Sequence, residues 1–144
     1  MANDLYNRLK EYRNSFQGAA DFIGIKITDV KEGWARGEIE VKRHHMNPVG
    51  AVHGGIIFAL ADTVGGVAAW SCGQVVTTSC ASIQFLNAAL EPQKIIAEAS
   101  ALKVGKNLLT FDVRVMDEAG KLLCHATQEY YSLHVSVTEK LDPQ

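Results

Sequence analysis

One carboxylate stands alone in a long uncharged stretch. Between Arg43 and Glu91 the only Asp, Glu, Lys or Arg is Asp62, and an ionised carboxylate without partners is costly to bury. It lies in Asn47 to Trp70, NPVGAVHGGIIFALADTVGGVAAW, which reads as a helix entered through a histidine and two glycines. Ile56, Ile57, Phe58, Leu60, Val64, Val67 and Trp70 leave that helix no polar face, so other structure must wrap it. An acid in such a place needs compensation, and chemistry is expected where the compensation is built.

The second candidate is the helix entrance. Gly54 and Gly55 suit the first turn, where backbone N–H groups are free and a partner can come close. With the positive end of the helix dipole behind them, they make a ready site for a carbonyl or an oxyanion. Asp62 follows Gly55 by seven residues, nearly the same face but roughly 10 Å further along at 1.5 Å per residue. A carboxylate so far away cannot easily serve the same carbonyl within one chain. Two such helices running antiparallel across a two-fold axis would bring one chain's Asp62 to the other's Gly54 and Gly55, so a composite site would require a dimer.

The elements that must position these groups follow from periodicity. Leu5, Leu9, Tyr12 and Phe16 share one side of an N-terminal helix capped by Asn3 or Asp4. Phe22 to Val30 and the segment from Trp34 to Arg43 read as a strand hairpin turning at Gly33. Pro48 and Gly50 then steer the chain towards the helix start at His53. After the helix, Val75 to Leu86 reads as a long strand. Lys94 to Lys103 puts Ile95, Ala97, Ala99 and Ala101 on one face, small enough to lie under a helix. Two further strands follow, from Leu108 to Asp117 and from Lys121 to Leu133, completing an antiparallel meander. About six strands around one long central helix, with a short outer helix, make an α+β domain over residues 1–134, followed by a polar tail over 135–144 with no clear structure.

Composition narrows the class. A chain of 144 residues with 47% hydrophobic content suits one globular domain. A net charge of −2 and no Lys/Arg-rich block argue against nucleic-acid binding. Cys72, Cys80 and Cys124 have neither metal nor redox spacing, which fits a reduced cytoplasmic protein. Neither a leader nor a long apolar span directs the chain to export or to a membrane.

Asn47-Pro48-Val49-Gly50-Ala51-Val52-His53-Gly54-Gly55, followed by Leu60-Ala61-Asp62, resembles the signature of the hotdog-fold acyl-CoA thioesterases of the phenylacetate-pathway, PaaI-like, group. The likeness runs from the FIGIKI strand to GKLLCHATQEY. It implies hydrolysis of a thioester between an acyl group and coenzyme A, with no metal or redox cofactor. Gly54 or Gly55 would donate an N–H to the thioester carbonyl. Asn47 would help to hold the carbonyl or the water, His53 would line the same mouth, and Asp62 would be the nucleophile or general base. A strand hydroxyl, Thr78 in this alignment with Thr77 and Ser79 adjacent, would assist the carboxylate. Lys106, Lys103 and Asn107, at the turn around Gly105, would face the phosphates of coenzyme A. Members of the group form homodimers or dimers of dimers, homotetramers, with two-chain sites.

Each assignment has a plainer counterpart. Asp62 could be a structural carboxylate, His53 a helix cap, Asn47 a turn former, and Lys103 and Lys106 solvated turn residues. His44, His45, His125 and His134 lack metal-ligand spacing. The absence of a G-x-S-x-G elbow removes the α/β-hydrolase route. A non-catalytic acyl-CoA sensor and a 3-hydroxyacyl thioester dehydratase on the same fold are the rival functions.

Overall fold

The computed structural model describes residues 2–142. Helix α1 (Ala2–Ser15) and a short α2 (Ala19–Ile23) precede strands β1 (Ile25–Lys31) and β2 (Trp34–Glu40). Helix α3 (Gly54–Trp70) follows, then β3 (Gln74–Phe85), β4 (Lys94–Val104), β5 (Leu108–Asp117), β6 (Leu122–Ser136) and α4 (Val137–Leu141). The strands form one antiparallel sheet in the order β1-β2-β4-β5-β6-β3, wrapped around α3 in the hotdog arrangement.

The wrapping explains the apolar helix. Leu60, Val64 and Val67 are fully buried, each contributing about 1.5–3 kcal/mol on leaving water. Ala97 and Ala99 of β4 and Ala35 of β2 are also fully buried; small side chains let the helix approach the sheet. At Gly37 a Cβ would stand 2.8 Å from Val64 Cγ2, so that strand position must stay bare for α3 to lie where it does.

Two expectations need correction. Phe22 and Ile23 are not strand: they belong to α2, which ends at Gly24 in the left-handed region at φ 95, and β1 begins only at Ile25. Nor is the end of the chain without structure up to Leu141. Strand β6 runs to Ser136, whose hydroxyl caps α4 by accepting from Thr138 N–H, and Val137 is buried. The polar composition there hides two anchoring apolar residues, Val137 and Leu141. Helix α1 lies along the edge strand β1, clamped by Asn14: its amide donates to Ile27 O and its Oδ1 accepts from Ile27 N, both at 2.8 Å.

Candidate active site

Asp62 sits half-buried midway along α3, and its carboxylate is held from the sheet. Thr78 Oγ1 donates to Asp62 Oδ1 at 2.7 Å. The Tyr130 hydroxyl donates to the Asp62 backbone carbonyl at 2.9 Å and lies 3.4 Å from Oδ1. Among the described residues nothing donates to Oδ2, so one carboxylate oxygen is fixed and the other is open to a ligand. Tyr130 is fully buried; desolvation, then the charge of Asp62, raises its phenol well above the ordinary value. It therefore stays a donor.

A bulge puts Thr78 there. Pairing with β6 runs Thr77 to Tyr131 and Thr78 to Tyr130, then skips Ser79 and resumes with Cys80 against Glu129. Thr78 thus lies opposite Tyr130 and reaches Asp62, Thr77 lies opposite Tyr131 and also borders the cavity, and Ser79 bonds Glu129.

The helix entrance is equally built. His45 is buried, accepts from Lys42 N at Nδ1 and meets Ile23 O at Nε2, while its carbonyl accepts from His53 N at 2.8 Å. His53 is the N-cap of α3: its Nδ1 accepts from Gly55 N–H at 2.8 Å. Gly55 is bare because a Cβ would lie 3.0 Å from that ring. Its N–H is consumed by the cap, and Gly54 N–H is the one left without an acceptor among the described residues. With Nδ1 accepting, the neutral His53 ring carries its proton on Nε2, a second available donor. Asn47 Oδ1 accepts from Val49 N and Ala51 N, so its oxygen shapes the turn and only its amide N–H groups remain for a ligand.

Both groups open into cavities among the described residues. One, of about 470 Å³, has Asp62, Thr78, Tyr130, Arg13 and Trp70 in its wall; the other, of about 360 Å³, has Asn47, Gly54, Phe85 and Asn87. The carboxylate and the free helix-end N–H thus occupy different cavities of the same chain, as the helix rise requires.

With this geometry in view, the Thioesterase superfamily profile matches residues 49–124. A protein of Archaeoglobus fulgidus whose esterase name is provisional is 32% identical over 132 residues, 92% of this chain and 86% of its own. The chain belongs to the Thioesterase superfamily. Acyl-coenzyme A thioesterase PaaI of Escherichia coli is 29% identical over 102 residues, 71% of this chain and 73% of that protein. The solved E. coli PaaI protein shares the fold with a TM-score of 0.83 at 24% identity, over 92% of this chain and 98% of that one. A hypothetical thioesterase protein from Streptococcus pneumoniae solved with coenzyme A shares it at 0.72 and 24% identity, over 76% and 88% of the two chains.

Within this thioesterase-superfamily chain, Lys103, Lys106 and Asn107 are exposed and line neither cavity. Lys103 pairs across to Thr110 on the outer sheet face, and the Asn107 carbonyl accepts from Ser132 N at 2.8 Å. Tyr130 and Arg13 were not singled out by sequence. For Tyr130 a signal existed: Gly65, a glycine inside a helix, marks a close approach. For Arg13, one cation among several on an amphipathic helix, none did. No helix among the described residues is long and apolar enough to cross a membrane.

Proposed function

We propose that the protein hydrolyses an acyl-CoA thioester to the free acid and coenzyme A, at a site shared by two copies of the chain. The thioester carbonyl accepts from Gly54 N–H of one copy, with His53 Nε2–H and the Asn47 amide beside it. Asp62 of the other copy takes a proton from water as its oxygen bonds to the acyl carbon; the carbon–sulfur bond then breaks and the thiolate leaves with a proton. Coenzyme A is part of the substrate, and no separate cofactor is needed.

The observation that carries this reading is the state of the Asp62 carboxylate: Oδ1 oriented by Thr78 at 2.7 Å, Oδ2 open, in a cavity that holds none of the helix-end donors. An oxygen left open in the wall of a cavity is free to accept a proton from water. Lys103, Lys106 and Asn107 are proposed to meet the coenzyme A phosphates at the mouth, as exposed groups do for a strongly hydrated anion. The three cysteines are free thiols, which suits a reducing, cytoplasmic setting.

The test is a panel of acyl-CoAs followed for free thiol and for enoyl absorbance together. Thiol release without enoyl formation supports hydrolysis. Enoyl formation from 3-hydroxyacyl-CoA supports a dehydratase, and tight binding with neither product supports a sensor.

A further inference from the structure

The cavity at Asp62 is not neutral. Its charged side chains are Asp62, Arg13 and Lys140, so the cations outnumber the carboxylate two to one. Arg13 is the informative member. It is half-buried, its guanidinium carbon lies 5.1 Å from the centroid of Trp70, and desolvation pulls its pKa below the ordinary arginine value. Yet among the described residues its guanidinium makes neither an ion pair nor a hydrogen bond, although it carries five donors in a planar fork. The carboxylate across the cavity, Asp62, acts on it only at long range and offsets part of the desolvation, so the donors of the fork remain open to a ligand.

The position is also built. Asn14, the next residue, clamps α1 to β1 through both of its amide atoms, and Arg8 pairs with Asp142 just beyond α4, the helix that carries Lys140. The two helices that carry these cations are thereby held beside the same cavity. Tyr12, Phe16 and Trp70 line it as well, with the Tyr12 and Trp70 rings stacked at 6.1 Å.

We propose that Arg13 is a specificity residue that receives a second carboxylate at the far end of the acyl group, and that the preferred substrates are coenzyme A monothioesters of dicarboxylic acids. This rests on the reading of Asp62 as the hydrolytic carboxylate. The aromatic walls cover the spacer, and the guanidinium fork grips the terminal carboxylate in two parallel hydrogen bonds. Lys140 adds a second positive charge. Asp62 does not oppose this arrangement, because it serves the thioester end and its Oδ1 is already held by Thr78. A neutral acyl chain would instead leave the guanidinium desolvated and unmatched.

The experiment compares kcat/KM for adipoyl-CoA with hexanoyl-CoA, and for (4-carboxyphenyl)acetyl-CoA with phenylacetyl-CoA, by thiol release. Wild-type protein is expected to favour the carboxylated member of at least one pair by ~10- to 100-fold, the size of a hydrogen bond to a charged group. Arg13→Gln should bring that ratio close to one. Arg13→Lys, which keeps the charge and loses the fork, should fall between and keeps the test informative if the Gln variant does not fold. A wild-type preference for the neutral members, or a ratio that Arg13→Gln does not move, overturns the inference. If the neutral substrates turn over and the carboxylated ones do not, this inference alone fails. If none of the four releases thiol, the hydrolase reading fails with it.

Discussion

A Cβ placed at Gly65 would stand 2.2 Å from the hydroxyl oxygen of Tyr130, so the helix carries Asp62 over this tyrosine only because position 65 is bare. Glycine to alanine within a helix ordinarily stabilises by up to about 1 kcal/mol. Here the sign should reverse. Gly65→Ala is expected to cost about 1–3 kcal/mol in urea unfolding, as overpacking does. In a Tyr130→Phe background, where the clashing oxygen is gone, the same change should cost clearly less; equal costs would mean that the contact is relieved elsewhere.

Asp62→Asn keeps the shape of the side chain and removes the base. Turnover of whichever acyl-CoA the wild type cleaves best should fall by about 10²–10⁴-fold, the usual worth of a general base, with circular dichroism and melting temperature nearly unchanged. Single-turnover hydrolysis in heavy-oxygen water adds the finer answer. Label found only in the product acid supports attack by water; label in the Asp62 side chain supports an anhydride.

Thr78→Val removes the donor that orients Asp62 Oδ1 and leaves the strand intact. We expect kcat to drop about tenfold, the lower end for a hydrogen bond to a charged group on an exposed residue, with little change in KM. Thr78→Ser should restore most of the rate. Failure of serine to do so would show that the methyl group, not the hydroxyl, matters.

Proline can delete one N–H at a helix start without harming the helix, since the first helical position leaves its N–H unbonded anyway. Gly54 is that position, and His53 before it has φ −59 and ψ 132, backbone that a residue preceding proline adopts readily. Gly54→Pro is expected to lower kcat by about 10²-fold, as loss of one oxyanion donor does. Co-expressed with Asp62→Asn chains, it should regain activity in the mixed dimer, which restores one intact site from two defective chains. No recovery would place both groups in one chain's site.

Burial also sets a pH response. The Cys124 thiol, fully buried, is pushed up to about 11 by desolvation, and Tyr130 is raised as well. In the unfolded chain both lose their protons earlier. Above about pH 9 the unfolded state therefore binds fewer protons than the native one, and stability falls as pH rises. The contribution of Cys124 is intact below about pH 9 and is lost through about pH 11. Urea midpoints measured across that window should decline, and Cys124→Ala should flatten the first part of the decline.

Periodicity was enough for the architecture where one face of an element is buried and the other wet. Ile95, Ala97 and Ala99 alternate cleanly in β4, and the uniform apolarity of α3 announced its central place. It failed where a short element is held by few contacts: α2 carries the same apolar residues that a strand would, and α4 is anchored by buried Val137 and half-buried Leu141. At the site, the isolation of Asp62 was legible because charge is counted along the chain. Which hydroxyl meets it was not derivable from alternation, since the bulge at Ser79 shifts the parity of β3 halfway along; only the alignment pointed to Thr78. The partition of labour between Gly54 and Gly55 depends on which way the His53 ring turns, and the gathering of Arg13 and Lys140 over one cavity joins residues from opposite ends of the chain.

Strand β3 is the edge of the sheet opposite β1, bonded to β6 on one side only, and most of its residues from Thr77 onward are exposed. On the side of this twelve-residue strand away from β6 the backbone has no strand partner, which invites a second polypeptide to zip alongside. Should catalysis draw on both, dilution becomes a switch: output per chain would fade as the assembly comes apart, with every individual fold still intact.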